Sequence, residues 1–154
     1  MTYIESGLEF TFSKAAEIQH IENGEFGHGL KNVDFIIREI DETILLEVKG
    51  TNQEVIRYLS DDIVNQLVEK ARDTYTYLHL IKETTKQLTY VALIDFRTEE
   101  IDSAMLLRRY DALKSGLKGE KGHIWKQEYI QRALLIDLQG FVSEFDEYAV
   151  IRQV

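Results

Sequence analysis

Val33-Asp34-Phe35-Ile36-Ile37-Arg38 and Ile44-Leu45-Leu46-Glu47-Val48-Lys49-Gly50 are two apolar, β-rich runs that flank an acidic turn, Asp41-Glu42. The pattern predicts a β-hairpin. Asp34, Glu47 and Lys49 interrupt these otherwise apolar runs. A buried charge is costly unless it is paired or binds a metal, so three charges in this setting need a reason.

Centring the turn on Asp41 and Glu42 makes Ile40 face Thr43. Asp34 then lies opposite Lys49, and Ile36 opposite Glu47. Directly opposed residues point to the same face, and side chains repeat every second residue. Asp34, Glu47 and Lys49 therefore converge on one patch. A slip of one residue would send Asp34 to the other face from the Glu47/Lys49 pair.

Two carboxylates and an ammonium on a rigid sheet suit one chemistry in particular. The carboxylates offer hard oxygen ligands to a Mg2+ ion, which takes one or two carboxylates plus waters and phosphate oxygens. The backbone carbonyl of Val48 offers a further oxygen. Lys49 is suited to orienting or helping deprotonate a water, or to balancing charge on a phosphorane-like transition state.

Asp34, then twelve intervening residues, then Glu47-Val48-Lys49 at the end of an apolar strand, resembles the active-site signature of the PD-(D/E)XK nuclease superfamily. The resemblance implies a restriction-endonuclease-like fold: a single α/β domain over residues 1–154 with a mixed central β-sheet flanked by helices. It implies a Mg2+-dependent nuclease, with Mn2+ as a substitute, that hydrolyses phosphodiesters in nucleic acid, DNA being the expected substrate. Asp34 and Glu47 would bind the metal and Lys49 would act at the nucleophilic water. Many nucleases of this type dimerise to cut both strands, so a homodimer is also implied. The chain departs from the pattern in having Val33 before the aspartate, and it has no proline at all. The family often adds an acid from its first helix, for which Glu17 and Glu22 are the candidates. The alternative is a protein-interaction module that keeps the nuclease-like scaffold without catalysis.

Composition is compatible with these expectations. A chain of 154 residues can bury a real core. It has no cysteine, which excludes disulfides and thiolate metal sites. No stretch approaches a membrane span, and Met1-Thr2-Tyr3-Ile4-Glu5 has no signal-peptide pattern, so no membrane partner is expected and the cytoplasm is the expected location. A net charge of −9 argues against coating nucleic acid by bulk electrostatics. Between Arg108 and Arg132, however, seven Lys/Arg stand against three acids. Such local asymmetry marks either a phosphate-facing region or a solvated loop.

The remaining elements follow from periodicity. Residues 8–22 are ambiguous: Leu8, Phe10 and Phe12 alternate like a strand, while Ala15, Ala16 and Ile18 suit a helix. Gly24 to Gly29 reads as a turn leading into the Asp34 strand. Ser60, Asp61 and Asp62 signal a helix start. Ile63, Val64, Leu67, Val68, Ala71, Tyr75 and Leu78 form its apolar stripe. Gln66 and Lys70 lie off that stripe and are expected to face solvent, although either is placed to help the site. Leu88 to Phe96 reads as a buried strand. A second helix follows from Thr98 to about Lys114, which makes a strand–helix–strand unit with parallel pairing. Arg132 to Leu138 is a strand, with a helix as the alternative, and Tyr148 to Val154 is a strand.

Other constellations carry less. His20, His28, His79 and His123 fall at no metal-ligand spacing. No serine sits in a nucleophile-elbow sequence. Trp125 is suited to packing, or to stacking on a base. Glu47 and Lys49 would otherwise be a cross-strand surface pair, contributing only about 0–1 kcal/mol.

Overall fold

The computed structural model describes residues 1–22, 26–50, 61–95, 103–120 and 123–153. Their elements, in chain order, are β1 (Thr2–Glu5), β2 (Leu8–Thr11), β3 (Glu17–His20), β4 (Phe35–Arg38), β5 (Glu42–Lys49), α1 (Asp61–Leu80), β6 (Gln87–Ile94), α2 (Ser103–Lys118), β7 (Gly119–Glu120), β8 (His123–Ile124), β9 (Arg132–Ile136), α3 (Leu138–Glu144) and β10 (Ala149–Arg152). The expected helix start at Ser60 and the Thr98 start of the second helix lie outside the described residues, as does Gly24.

The fold is mixed α/β. Its main sheet has five strands in the order β3-β4-β5-β6-β9. β3, β4 and β5 run antiparallel to their neighbours, whereas β5, β6 and β9 are mutually parallel. α1 and α2 occupy the two crossovers of the parallel half. The long apolar runs of β5 and β6 reflect this position, because central strands are buried on both faces.

The two faces are covered differently. Ile36, Leu45, Tyr90 and Ala92 share one face and pack against Val64, Leu67, Val68 and Ala71 of α1 and Leu113 and Leu117 of α2. The α1 stripe expected from spacing is thus the buried one. Phe35, Ile37, Ile44, Leu46, Val91 and Leu93 share the opposite face and meet Leu8, Phe10, Phe141 and Tyr148. Those partners come from β2 of a second antiparallel sheet, β1-β2-β10, from α3, and from the turn that leads into β10. Full burial of each such Leu, Ile or Phe stabilises the fold by about 1.5–3 kcal/mol. Helices therefore cover one face, and the other face is covered mainly by β-structure, which the sequence reading did not foresee.

The ambiguous 8–22 segment resolves into β2 and β3, with a turn between them and no helix. Alternation wins because Leu8 and Phe10 face the main sheet while Glu9 and Thr11 point outward. Ser6 and Gly7 both have positive φ, 50° and 78°, between the paired residues Glu5 and Leu8. This is the pattern of a tight two-residue hairpin whose twist matches its strands. Arg132 to Ile136 is strand, and Asp137 then caps α3 by accepting the Gly140 N–H at 2.7 Å.

The central hairpin forms with a register shifted by two residues from the expected one. Arg38 faces Thr43 and Ile36 faces Leu45. The turn is Ile40-Asp41, closed by the Glu39 N–H on the Glu42 carbonyl at 2.9 Å. Glu42 belongs to β5 because it pairs with Gln87 of β6 and its carboxylate accepts the Thr89 hydroxyl at 2.8 Å. A shift of two preserves every residue's face. Extending this register by one residue sets Asp34 across from Glu47, not Lys49.

Candidate active site

Asp34, Glu47 and Lys49 lie where β4 begins and β5 ends, on the face covered by α1. Glu47 is 1% exposed. Its Oε1 accepts hydrogen bonds from the ammonium of Lys70 on α1 at 2.6 Å, and Lys49 Nζ stands 3.4 Å away. Its Oε2 is buried without a protein partner. Asp34 accepts the Val48 N–H on Oδ2 at 2.7 Å, so its side chain continues the ladder just before β4 begins. The Asp34 N–H itself donates to the Leu46 carbonyl at 3.1 Å.

Burial, followed by repulsion from Glu47, pushes the Asp34 carboxyl up to about 8 against the pull of the Val48 N–H. Glu5 adds a smaller repulsion, and Lys70 a smaller attraction. Burial draws the Lys70 pKa down, but the Glu47 carboxylate beside it outweighs this and leaves it above its ordinary value. The Lys70 cation is therefore secure. Tyr90 closes the inner wall of the site. It is fully buried, donates its hydroxyl to the Leu67 carbonyl at 2.8 Å, and is held far above the ordinary phenol pKa by burial and then by Glu47.

A cleft of about 320 Å3 opens over Asp34 and Lys70, walled by Gly27, Gly29, Leu30 and Asn32. Gly27, His28 and Gly29 all have positive φ, a conformation that two glycines here make accessible. The loop is tied to α1 at two points. The Lys31 N–H donates to Asp73 Oδ2 at 2.9 Å, and the Val33 N–H to the Thr74 hydroxyl at 3.2 Å. On the other side, the Ser6-Gly7 turn comes against the end of β5. Ser6 Oγ is 3.5 Å from the Val48 carbonyl oxygen, and a Cβ on Gly50 would meet the Ser6 carbonyl at 2.8 Å.

The predicted convergence of Asp34, Glu47 and Lys49 is present, but its membership differs from expectation. Lys70, expected to face solvent, is the shortest cationic contact of Glu47, whereas Gln66 is exposed. The off-stripe spacing of Lys70 marked it, because that flank of α1 turns toward the end of β5. Glu17 lies exposed on β3 and Glu22 in an exposed segment, so neither is a first-helix acid. Glu5, which no motif singled out, lies near enough to affect Asp34 and pairs with His20 Nε2 at 2.9 Å. His20 also stacks on Phe35, with ring centroids 4.5 Å apart, and His79 stacks on Tyr75.

Asp34 and Glu47 offer the hard oxygen donors that a divalent cation takes, while Lys49 and Lys70 already oppose the charge of Glu47. Two facing carboxylates include one orphaned buried oxygen, and their repulsion adds to burial in raising Asp34. Among the described residues no group of three or more His, Asp or Glu side chains is gathered to hold a metal. A site here would use two carboxylates, with carbonyl, water or substrate oxygens completing it, as Mg2+ allows. No known protein family, curated protein or solved structure matches this chain. Among the described residues no helix is long and apolar enough to cross a membrane.

Proposed function

We propose that this chain is a metal-dependent nuclease of PD-(D/E)XK type on a restriction-endonuclease-like fold, hydrolysing phosphodiesters in nucleic acid, DNA foremost, in the cytoplasm. The observation that carries this reading is the Glu47 carboxylate. It is buried, has one orphaned oxygen, faces Asp34, and has two ammonium groups beside it. Asp34, Glu47 and the Val48 carbonyl would hold Mg2+, or Mn2+ in its place. When bound, the ion supplies Lewis-acid stabilisation of charge at the phosphate and eases ionisation of water. Lys49, partly exposed next to Glu47, orients the attacking water and meets negative charge developing on the phosphate. Lys70 holds Glu47 in place and adds a fixed positive charge at the cleft. Tyr90 and Leu67 exclude water from behind the carboxylates. A homodimer acting on both strands belongs to the same proposal.

The 2.6 Å Lys70–Glu47 pair favours a second reading. Two ammonium groups already balance the carboxylates, as in a non-catalytic protein-interaction module on the same scaffold. A calorimetric Mn2+ titration of the wild type and Glu47→Ala separates the two readings. The nuclease reading expects binding in the wild type and its loss in the variant. It also expects metal-dependent cleavage that disappears in Lys49→Ala with the fold intact. Full activity in Lys49→Ala overturns the role given to that lysine, and a folded wild type with neither metal binding nor cleavage leaves the scaffold reading.

A further inference from the structure

A second cleft, of about 350 Å3, lies on the other flank of α1. Arg72, Tyr75, Trp125, Lys126 and Tyr129 line it. Tyr129 is nearly buried and stands 5.1 Å from Tyr75 between ring centroids, so the floor is aromatic and firmly packed. Trp125 forms a wall and is 48% exposed. Its backbone N–H donates to the Lys118 carbonyl at 2.8 Å, which ties the residue after β8 to the end of α2. Trp125 also borders an adjoining cleft of about 300 Å3 that adds Lys114 and Lys118 and includes the carboxylate of Glu128.

Charge across the molecule is segregated. A separate cleft of about 760 Å3 is lined by Glu39, Asp41, Glu42, Glu144, Asp146 and Glu147 and repels a polyanion. Among the described residues, the Trp125 face gathers Arg72, Lys114, Lys118 and Lys126 around an exposed indole. Two of them have internal partners: Arg72 Nε lies 3.2 Å from Asp73 Oδ1, and Lys114 lies 3.5 Å from Asp111 and over the Tyr110 ring. An aromatic platform rimmed by cations matches a polyanion that carries flat apolar rings, which is the chemistry of unpaired nucleotides. In a duplex the base faces are already stacked and closed to an indole.

We propose that the Trp125 cleft is a stacking subsite for an unpaired base of single-stranded nucleic acid, with Arg72, Lys114, Lys118 and Lys126 meeting its phosphates. That the bound strand continues to Asp34 and Glu47 rests on the nuclease reading; the binding itself does not. The clefts flank a helix whose full diameter is about 10–12 Å. Nucleotides in a stacked strand are spaced about 3.4 Å apart, so roughly three or four of them separate the stacked base from a phosphate at Lys70.

The test is fluorescence anisotropy of labelled oligodeoxythymidylate and oligouridylate on the whole chain, with EDTA present so that nothing is cut. Binding of either oligomer is expected, and the tighter of the two identifies the sugar. Trp125→Ala should weaken binding roughly 5- to 150-fold, the range that stacking on one base supports, with an unchanged thermal melt. Trp125→Phe should retain most of the affinity, and duplex competitor should displace little. Unaltered binding in Trp125→Ala, or equal binding of duplex, overturns the subsite. If neither oligomer binds, it is also overturned, and the cleft is left to a protein partner. Equal oligomer binding by wild type and Trp125→Ala, together with Mn2+-dependent cleavage, would discard the subsite and keep the nuclease. Trp125-dependent binding without any Mn2+-dependent cleavage would do the reverse.

Discussion

Replacing Asp34 by asparagine should change how stability depends on pH. In the folded, metal-free protein Asp34 keeps its proton up to about pH 8, whereas in the unfolded chain it ionises near 3.8. Between those values the native state holds one proton more than the unfolded state, so stability falls as pH rises. The slope for one proton is about 1.4 kcal/mol per pH unit. Stability from this group is complete below the unfolded pKa and is lost as pH rises through the folded one. Asparagine can still accept the Val48 N–H but has no proton to lose. Between pH 5 and 7 the wild type should therefore lose about 2.7 kcal/mol more than Asp34→Asn. For a chain of this size that is roughly 5–11 °C in relative melting temperature. Urea denaturation of both proteins at several pH values in EDTA measures the difference, and other titrating groups cancel. Parallel stability curves, or a wild type that gains on the variant as pH rises, would refute the claim that Asp34 is a desolvated, proton-retaining acid.

The same proton links to metal binding, because a carboxylate ligand must be ionised. At pH 7, Mn2+ binding should release about one proton, read from calorimetric heats in buffers of different ionisation enthalpy, and its affinity should rise with pH toward 8. Lys70→Met should cost roughly 1.5–3 kcal/mol in urea denaturation, since it leaves the buried Glu47 with the more distant Lys49 alone; a neutral substitution would mean the pair is not formed. Gly50→Ala should destabilise by about 1–3 kcal/mol, because its methyl would collide with the Ser6 carbonyl, and an unchanged melt would show that the β1–β2 turn is not seated there.

Local pattern carried much of this fold. The strands β4, β5 and β6 and the buried stripe of α1 are legible because apolar residues recur with the periods of strand and helix. Parity did most for the site. Asp34 and Glu47 share a face in both the expected and the observed register, since a shift of two changes partners but not faces. In the observed register Glu42 joins β5, paired with Gln87 and accepting the hydroxyl of Thr89, both remote in sequence.

By itself the sequence determined that acid and ammonium groups meet on one face of an apolar hairpin, because that depends only on alternation along two short strands. Only tertiary structure decided what surrounds them. Lys70 reaches Glu47 because α1 crosses that face, and Glu5 nears Asp34 because a separate small sheet is laid beside it. The raised Asp34 pKa comes from burial that no local pattern encodes. Trp125 becomes a cleft wall only because the segment after β8 lies beside α1, far away in the chain. Long-range packing creates these environments, and their chemistry depends on desolvation and on neighbours drawn from several separate segments.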